Sequence, residues 1–171
     1  MVAVAENLTF AEFQAEYAKR DQSYEFWYGQ AIPKSMPTWI HGLLQVIIAE
    51  LLKDAGYVAG SEVELRIDPA AHPKPDVIAT RSNVETPYPT KAVDVVVEIL
   101  SADDSMTYLV EKCQTYQAWG FPGIYVVDSK SRLVFRWTGQ ALEITNSLSS
   151  VPAAKIWQEL DLRLAPPTPH P

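Results

Sequence analysis

The spacing of apolar and polar positions changes along the chain, and each change marks an element. Phe10, Phe13 and Tyr17 recur at helical intervals behind Thr9, which forms a capping box with Glu12. A first helix is therefore expected from Thr9 to about Lys19. Tyr24–Tyr28 and Gln30–Pro33 read as two strands turning at Gly29. Pro37 opens a longer helix that Gly56 ends. In it Ile40, Leu43, Leu44, Ile47, Ile48, Leu51 and Leu52 make a broad apolar face, with His41 and Gln45 together at its edge.

The period then falls to two. Val63, Leu65 and Ile67 alternate with Glu62, Glu64 and Arg66, which predicts a half-buried strand. A short strand is expected over Asp76–Thr80, a loop over Ser82–Lys91, and a strand buried on both faces over Val93–Leu100. A third helix, capped within Ser101–Asp104, runs to about Trp119 and breaks at Gly120-Phe121-Pro122-Gly123. Ile124–Val127 returns as a strand. A hairpin pairs Leu133–Trp137 with Leu142–Thr145, and a short helix spans about Ala153–Leu160. This order predicts an α/β fold, a mixed β-sheet flanked by helices. Residues 1–164 are expected to form one domain, followed by a proline-rich tail over 165–171 that is expected to be disordered.

Composition narrows the function classes. With 171 residues, 47% of them hydrophobic, the chain can bury a core without a disulfide or metal staple. Cys113 is the only cysteine, which excludes an intrachain disulfide and any multi-cysteine zinc site, and its helical neighbourhood points to the core. Glu50, Asp94 and Glu98 cut the apolar runs well short of the roughly 18 residues a membrane helix needs. Met1–Glu6 has no basic stretch ahead of an apolar one. A cytoplasmic protein with no membrane partner is the expectation. The net charge of −7 argues against nonspecific coating of nucleic acid, though not against an enzyme that engages it at one local basic site. No glycine-rich phosphate loop and no G-x-S-x-G elbow is present, and His41, His72 and His170 lack zinc-binding spacing.

What remains is Pro75-Asp76, Glu98 and Lys112. The ends of adjacent strands can bring Asp76 and Glu98 within a few ångströms. At about 4 Å their repulsion is on the order of 4 kcal/mol at an effective dielectric of 20. Two carboxylates accept that mainly when a cation or a shared proton lies between them. Oxygen ligands suit Mg²⁺ or Mn²⁺, and a lysine nearby would offset charge developing on a phosphodiester. Taken singly each residue has a plainer reading: Asp76 in a turn, Glu98 snorkelling at a sheet edge, Lys112 on a solvated helix face. Glu98 resists that reading. Inside Val95–Leu100 an unpaired carboxylate would cost several kcal/mol, so it has a partner or a metal.

These residues, in order, resemble a bacterial restriction-endonuclease-like family, abundant in cyanobacteria, of the PD-(D/E)XK nuclease superfamily. The resemblance runs from about Leu8 to Trp137. It rests on Tyr24-Glu25 followed by Gly29, His41, Pro75-Asp76, Val96-Val97-Glu98-Ile99-Leu100-Ser101, Glu111-Lys112, Tyr116, Gly120 and Ile124–Asp128. It implies a restriction-endonuclease-like core, with Asp76, Glu98 and the Ile99 carbonyl as ligands of Mg²⁺ or Mn²⁺. The motif's usual lysine position holds Leu100, so the resemblance implies a lysine that has migrated to the following helix, Lys112. Tyr108, Lys112 and Tyr116 share a helix face. Glu25, His41 and Tyr116 are candidates for the site rim. The chain departs from the family pattern at Ala102, where proline is usual, and at Tyr108, where aspartate is common.

The resemblance implies a metal-dependent endonuclease hydrolysing DNA. The alternatives are a catalytically inactive nuclease-fold binding or scaffold protein, and a metal-free ligand domain using Glu98 as general base. A homodimer is expected, because one site cuts one strand and DNA-binding dimers mirror the duplex dyad. A basic rim is expected from Lys34, Lys74, Arg81, Lys91 and Lys112.

Overall fold

The capping box forms. The Glu12 amide donates to the Thr9 hydroxyl at 3.2 Å, and the Thr9 amide donates to the Glu12 carboxylate at 2.8 Å. Helix α1 then runs Phe10–Glu16 in this computed structural model, which describes residues 7–102 and 104–166. Met1–Glu6 and residues 167–171 of the expected tail lie outside the described residues. Strands β1 (Tyr24–Trp27) and β2 (Gln30–Pro33) form the expected hairpin. Helix α2 (Trp39–Asp54) starts two residues after Pro37, because the Thr38 hydroxyl caps it by accepting from the His41 amide at 3.2 Å. Gly56, at φ +89°, follows its end.

The expected strand over Glu62–Ile67 does not form. Strand β3 is Val58–Ser61, and it stops where Glu62 turns into the left-handed region at φ +54°. Beyond it the Leu65 amide bonds Pro73 and the Arg66 amide bonds Pro89, so this extended stretch is pinned to two different segments and joins no ladder. Its alternation reflects Leu65 entering the core, with Val63 and Ile67 packed against it.

The remaining elements are β4 (Ala71–His72), β5 (Val77–Thr80), β6 (Val95–Ile99), α3 (Met106–Ala118), β7 (Gly123–Asp128), β8 (Leu133–Trp137), β9 (Leu142–Thr145), β10 (Ser147–Leu148), β11 (Val151–Pro152) and α4 (Ala153–Leu164). The two-residue strands β4, β10 and β11 are too short to leave a periodic trace. The main sheet has the order β3-β5-β6-β7-β8-β9; β6 and β7 run parallel and every other neighbouring pair is antiparallel. Helix α3 bridges the parallel pair, as such a connection requires. A smaller sheet, β2-β1-β4, carries the N-terminal hairpin.

The fold is α/β, a mixed sheet flanked by helices. Val95, Val97 and Ile99 point to the face covered by α2 and α4, and Val96 points to the α3 face with Leu109, Cys113 and Tyr116. Glu98 falls on the α3 side by the same alternation. No helix among the described residues is long and apolar enough to cross a membrane.

Gly123 opens β7 where β6 passes close by. A Cβ there would stand 2.9 Å from the Asp94 carbonyl oxygen and 3.0 Å from the Tyr125 ring. Backbone oxygen cannot move aside as a flexible side chain can. We expect Gly123→Ala to lower stability by about 1–3 kcal/mol in urea unfolding; an unchanged midpoint would show that the strand start has room to shift.

Candidate active site

Asp76 immediately precedes β5, and Val77 of β5 pairs with Val97 of β6. Extending that antiparallel register by one residue sets Asp76 beside Glu98. The Ile99 amide donates to Asp76 Oδ2 at 2.6 Å. Around Oδ1 gather His41 Nε2 at 3.1 Å, Gln45 Nε2 at 3.2 Å and Lys34 Nζ at 3.4 Å. Burial pushes the Asp76 carboxyl up, but the His41 bond, the Lys34 charge and the Ile99 amide reverse this and hold it well below the usual carboxylate range. His41 and Gln45 reach it because one helical turn of α2 separates them.

Glu98 lies at the end of β6 and has partners on both oxygens. Lys112 Nζ donates to Oε2 at 3.0 Å, and the Tyr116 hydroxyl donates to Oε1 at 2.6 Å. Lys112 also pairs with Glu25 of β1 at 3.1 Å. Glu25, only 1% exposed, further accepts from the Tyr108 hydroxyl at 2.9 Å, the Trp27 indole at 3.1 Å and the Lys74 amide at 2.7 Å. The shared face expected of Tyr108, Lys112 and Tyr116 is thus occupied along its length by two carboxylates. Burial raises Glu25, and Lys112, Lys34 and these donors bring it below its ordinary value. Burial would strip Lys112 of its proton, but Glu25 and Glu98 hold its pKa well above the usual lysine value. Glu98 goes the other way. Burial, with Asp76 and Glu25 nearby, outweighs Lys112 and lifts it to about 7.

Glu62 belongs to the same group, although its sequence neighbourhood marked it only as the polar half of an alternating strand. Its side chain stays exposed but lines the cavity, where the carboxylate accepts from Gln45 Nε2 at 2.7 Å and Lys34 Nζ at 2.8 Å. Lys34 also donates to the Lys74 carbonyl at 2.6 Å. Ligand atoms of His41, Glu62 and Asp76 all lie within 4.8 Å of one another.

Asp76, Glu98, Ile99, Lys112, Glu25 and His41 all line one cavity of about 430 Å³. The rim is not as expected. Glu25 sits in the buried wall, and Tyr116, fully buried, stands behind Glu98 in the core. Of the expected basic residues, Lys34 and Lys112 line the cavity, whereas Lys91 pairs with Glu85 and Arg81 lies over the Tyr57 ring, both away from it. Against two lysines the lining carries Asp21, Glu25, Glu62, Asp76, Glu98 and Asp104. The site is strongly acidic.

A mixed sheet flanked by helices, with acids at adjoining ends of two central strands and a lysine from the helix between the parallel pair, defines a restriction-endonuclease-like fold. The sequence profile of the family described as "Uma2: Putative restriction endonuclease" matches residues 10–164, and the chain belongs to that family. A solved structure from Anabaena variabilis, described as a putative nuclease belonging to DUF820, has the same fold. It is 20% identical, with a TM-score of 0.70 over 90% of this chain and 99% of that one. No curated protein matches the chain.

The raised Glu98 proton affinity has a signed consequence. Between its ordinary value of 4.5 and about 7 the folded protein holds a proton that the unfolded chain has lost, so this group makes stability fall as pH rises through that window. Asp76, shifted downward, acts in a separate acid window: its contribution is present above the ordinary 3.8 and is lost as pH falls. We expect metal-free wild type to lose stability relative to Glu98→Gln by on the order of 1 kcal/mol per pH unit between pH 5 and 7. Parallel urea curves across that range would remove the assignment.

Proposed function

We propose that the protein is a metal-dependent endonuclease hydrolysing phosphodiester bonds of DNA. The observation that carries this reading is the meeting of Asp76, Glu98 and Lys112 in one cavity, from the start of β5, the end of β6 and the middle of α3. A divalent cation fits the donors: hard oxygens predominate, carboxylates outnumber ammonium groups, and Asp76 stays ionised across the ordinary pH range. The residues available to hold it are Asp76, Glu98 and the Ile99 carbonyl, with His41 and Glu62 as further ligands. Mg²⁺ or Mn²⁺ there would supply positive charge against the phosphate oxygens and a water acidic enough to attack.

The chain's own residues do the rest. Lys112 keeps its proton, so it serves as a fixed positive charge and not as a base. Held between Glu25 and Glu98, it needs no rearrangement to stabilise charge that develops on the phosphate in the transition state. The acidic lining repels a polyanion until cations offset it, which ties substrate approach to metal loading. Cutting both strands would use two copies related by the duplex dyad.

A second reading, a catalytically inactive nuclease-fold binding protein, has one observation in its favour. The Lys34 ammonium stands 2.8 Å from Glu62 and 3.4 Å from Asp76, where a cation would meet the same oxygens.

The two separate by Mn²⁺ calorimetry and plasmid nicking. Wild type should bind Mn²⁺ and nick; Asp76→Asn should lose both. Lys112→Gln should keep Mn²⁺ binding while nicking falls roughly 10²- to 10³-fold. The same change leaves Glu25 and Glu98 facing each other and should cost about 3–5 kcal/mol of stability, so nicking is measured well below its melting temperature. Wild type that binds no Mn²⁺, or a Lys112→Gln protein that nicks at full rate, would overturn the catalytic reading.

A further inference from the structure

A second cleft, of about 440 Å³, opens between the β1–β2 hairpin and α3. Trp27, Tyr28, Tyr108 and Trp119 line it with the amides of Gln30 and Gln114. Trp27 forms the floor at 6% exposure; the Trp119 ring is nearly parallel to it, 5° apart with centroids at 6.5 Å, and Tyr108 meets it edge-on at 6.2 Å. Lys112 lines both this cleft and the acidic cavity. The wall between the two is held from the aromatic side, because the Trp27 indole and the Tyr108 hydroxyl both donate to Glu25, the partner of Lys112.

Tyr28 is the unusual member. Trp27 pairs with Gln30, so Tyr28 and Gly29 make a two-residue hairpin loop, and both take positive φ, +46° and +81°. Such turns favour asparagine or aspartate before glycine; a bulky residue there is strained. Burial does not offset that strain, since Tyr28 is 58% exposed. The ring gains one tilted contact with Trp27, centroids 6.3 Å apart, and otherwise stands exposed at the mouth of the cleft.

We propose that this cleft binds a nucleobase of the strand whose phosphate enters the acidic cavity. The choice of ligand rests on the nuclease reading. A flat heterocycle stacks on aromatic faces irrespective of sequence, and its edge exchanges hydrogen bonds with amides such as Gln30 and Gln114. An aliphatic partner would use neither feature. Base and phosphate belong to one chain, so two sites sharing Lys112 suit two parts of a single strand.

Tyr28→Asn provides the test, because asparagine suits the turn and the variant should melt no lower than wild type. Binding of a fluorescein-labelled single-stranded 12-mer is followed by anisotropy in Ca²⁺ at low salt, because the acidic cavity needs a cation before it admits a strand, and nicking with Mn²⁺ separately. Tyr28→Asn should weaken binding by roughly 5- to 100-fold, Tyr28→Phe should restore it, and an oligonucleotide of abasic sites should bind both proteins equally. Equal binding of the normal 12-mer by Tyr28→Asn and wild type would overturn the cleft and leave the nuclease reading standing. Tyr28-dependent binding by a protein that nicks nothing would uphold the cleft and overturn the nuclease. No binding by wild type, or a Tyr28→Asn effect seen only on self-association in sedimentation, would overturn the base site.

Discussion

Lys112 between Glu25 and Glu98 is the contact on which the other arrangements depend. It joins β1 of the small sheet, β6 of the main sheet and α3 through a single side chain. Two carboxylates this deeply buried depend on the ammonium between them, since removing Lys112 leaves them without a counter-charge. Tyr108, Tyr116, Trp27 and the Lys74 amide complete the hydrogen bonding, so the group is satisfied as well as paired. The small sheet, whose own core is mostly aromatic, is thereby fixed against the central strands.

Around this group the charges do not balance. Asp76 and Glu62 share Lys34, Glu25 and Glu98 share Lys112, and among the described residues no further lysine or arginine lines the cavity. The imbalance is distributed unevenly. Asp76, fed by an amide, an imidazole, an amide side chain and an ammonium, stays ionised; Glu98, buried beside two other acids with fewer donors, holds its proton to near neutrality. Neighbouring carboxylates pushed in opposite directions are a common sign of a site built for charge transfer. Here the difference follows from the number of donors each receives.

Much of the frame was legible in the chain because it is local. The Thr9–Glu12 box, the apolar face of α2 and the run Val95–Ile99 each carry their reason within a few residues. Glu98 announced itself as an acid in an apolar strand, and Lys112 as the centre of a helix face flanked by tyrosines. What escaped is non-local. Lys34 and Glu62 meet across 28 positions, and Glu25 and Lys112 across 87. Nothing near Glu25 in sequence shows that it will be buried. Glu62 was hidden more thoroughly: the alternation that predicted a strand put its side chain in water, where it does stay, and gave no sign that it would also line the cavity beside Gln45 and Lys34. Gln45 left a fainter sign, one helical turn from His41 on the same edge.

Three of the donors that hold the buried carboxylates, Tyr108, Lys112 and Tyr116, come from one face of one helix. An α-helix advances about 100° per residue, so inserting a single amino acid ahead of Tyr108 would swing all three away together. The strands supply acids from several places, but their counterparts travel as a cassette. Exchanges tolerated in this segment are therefore those that keep its phase. In α3 the spacing of these side chains matters as much as the identity of Lys112.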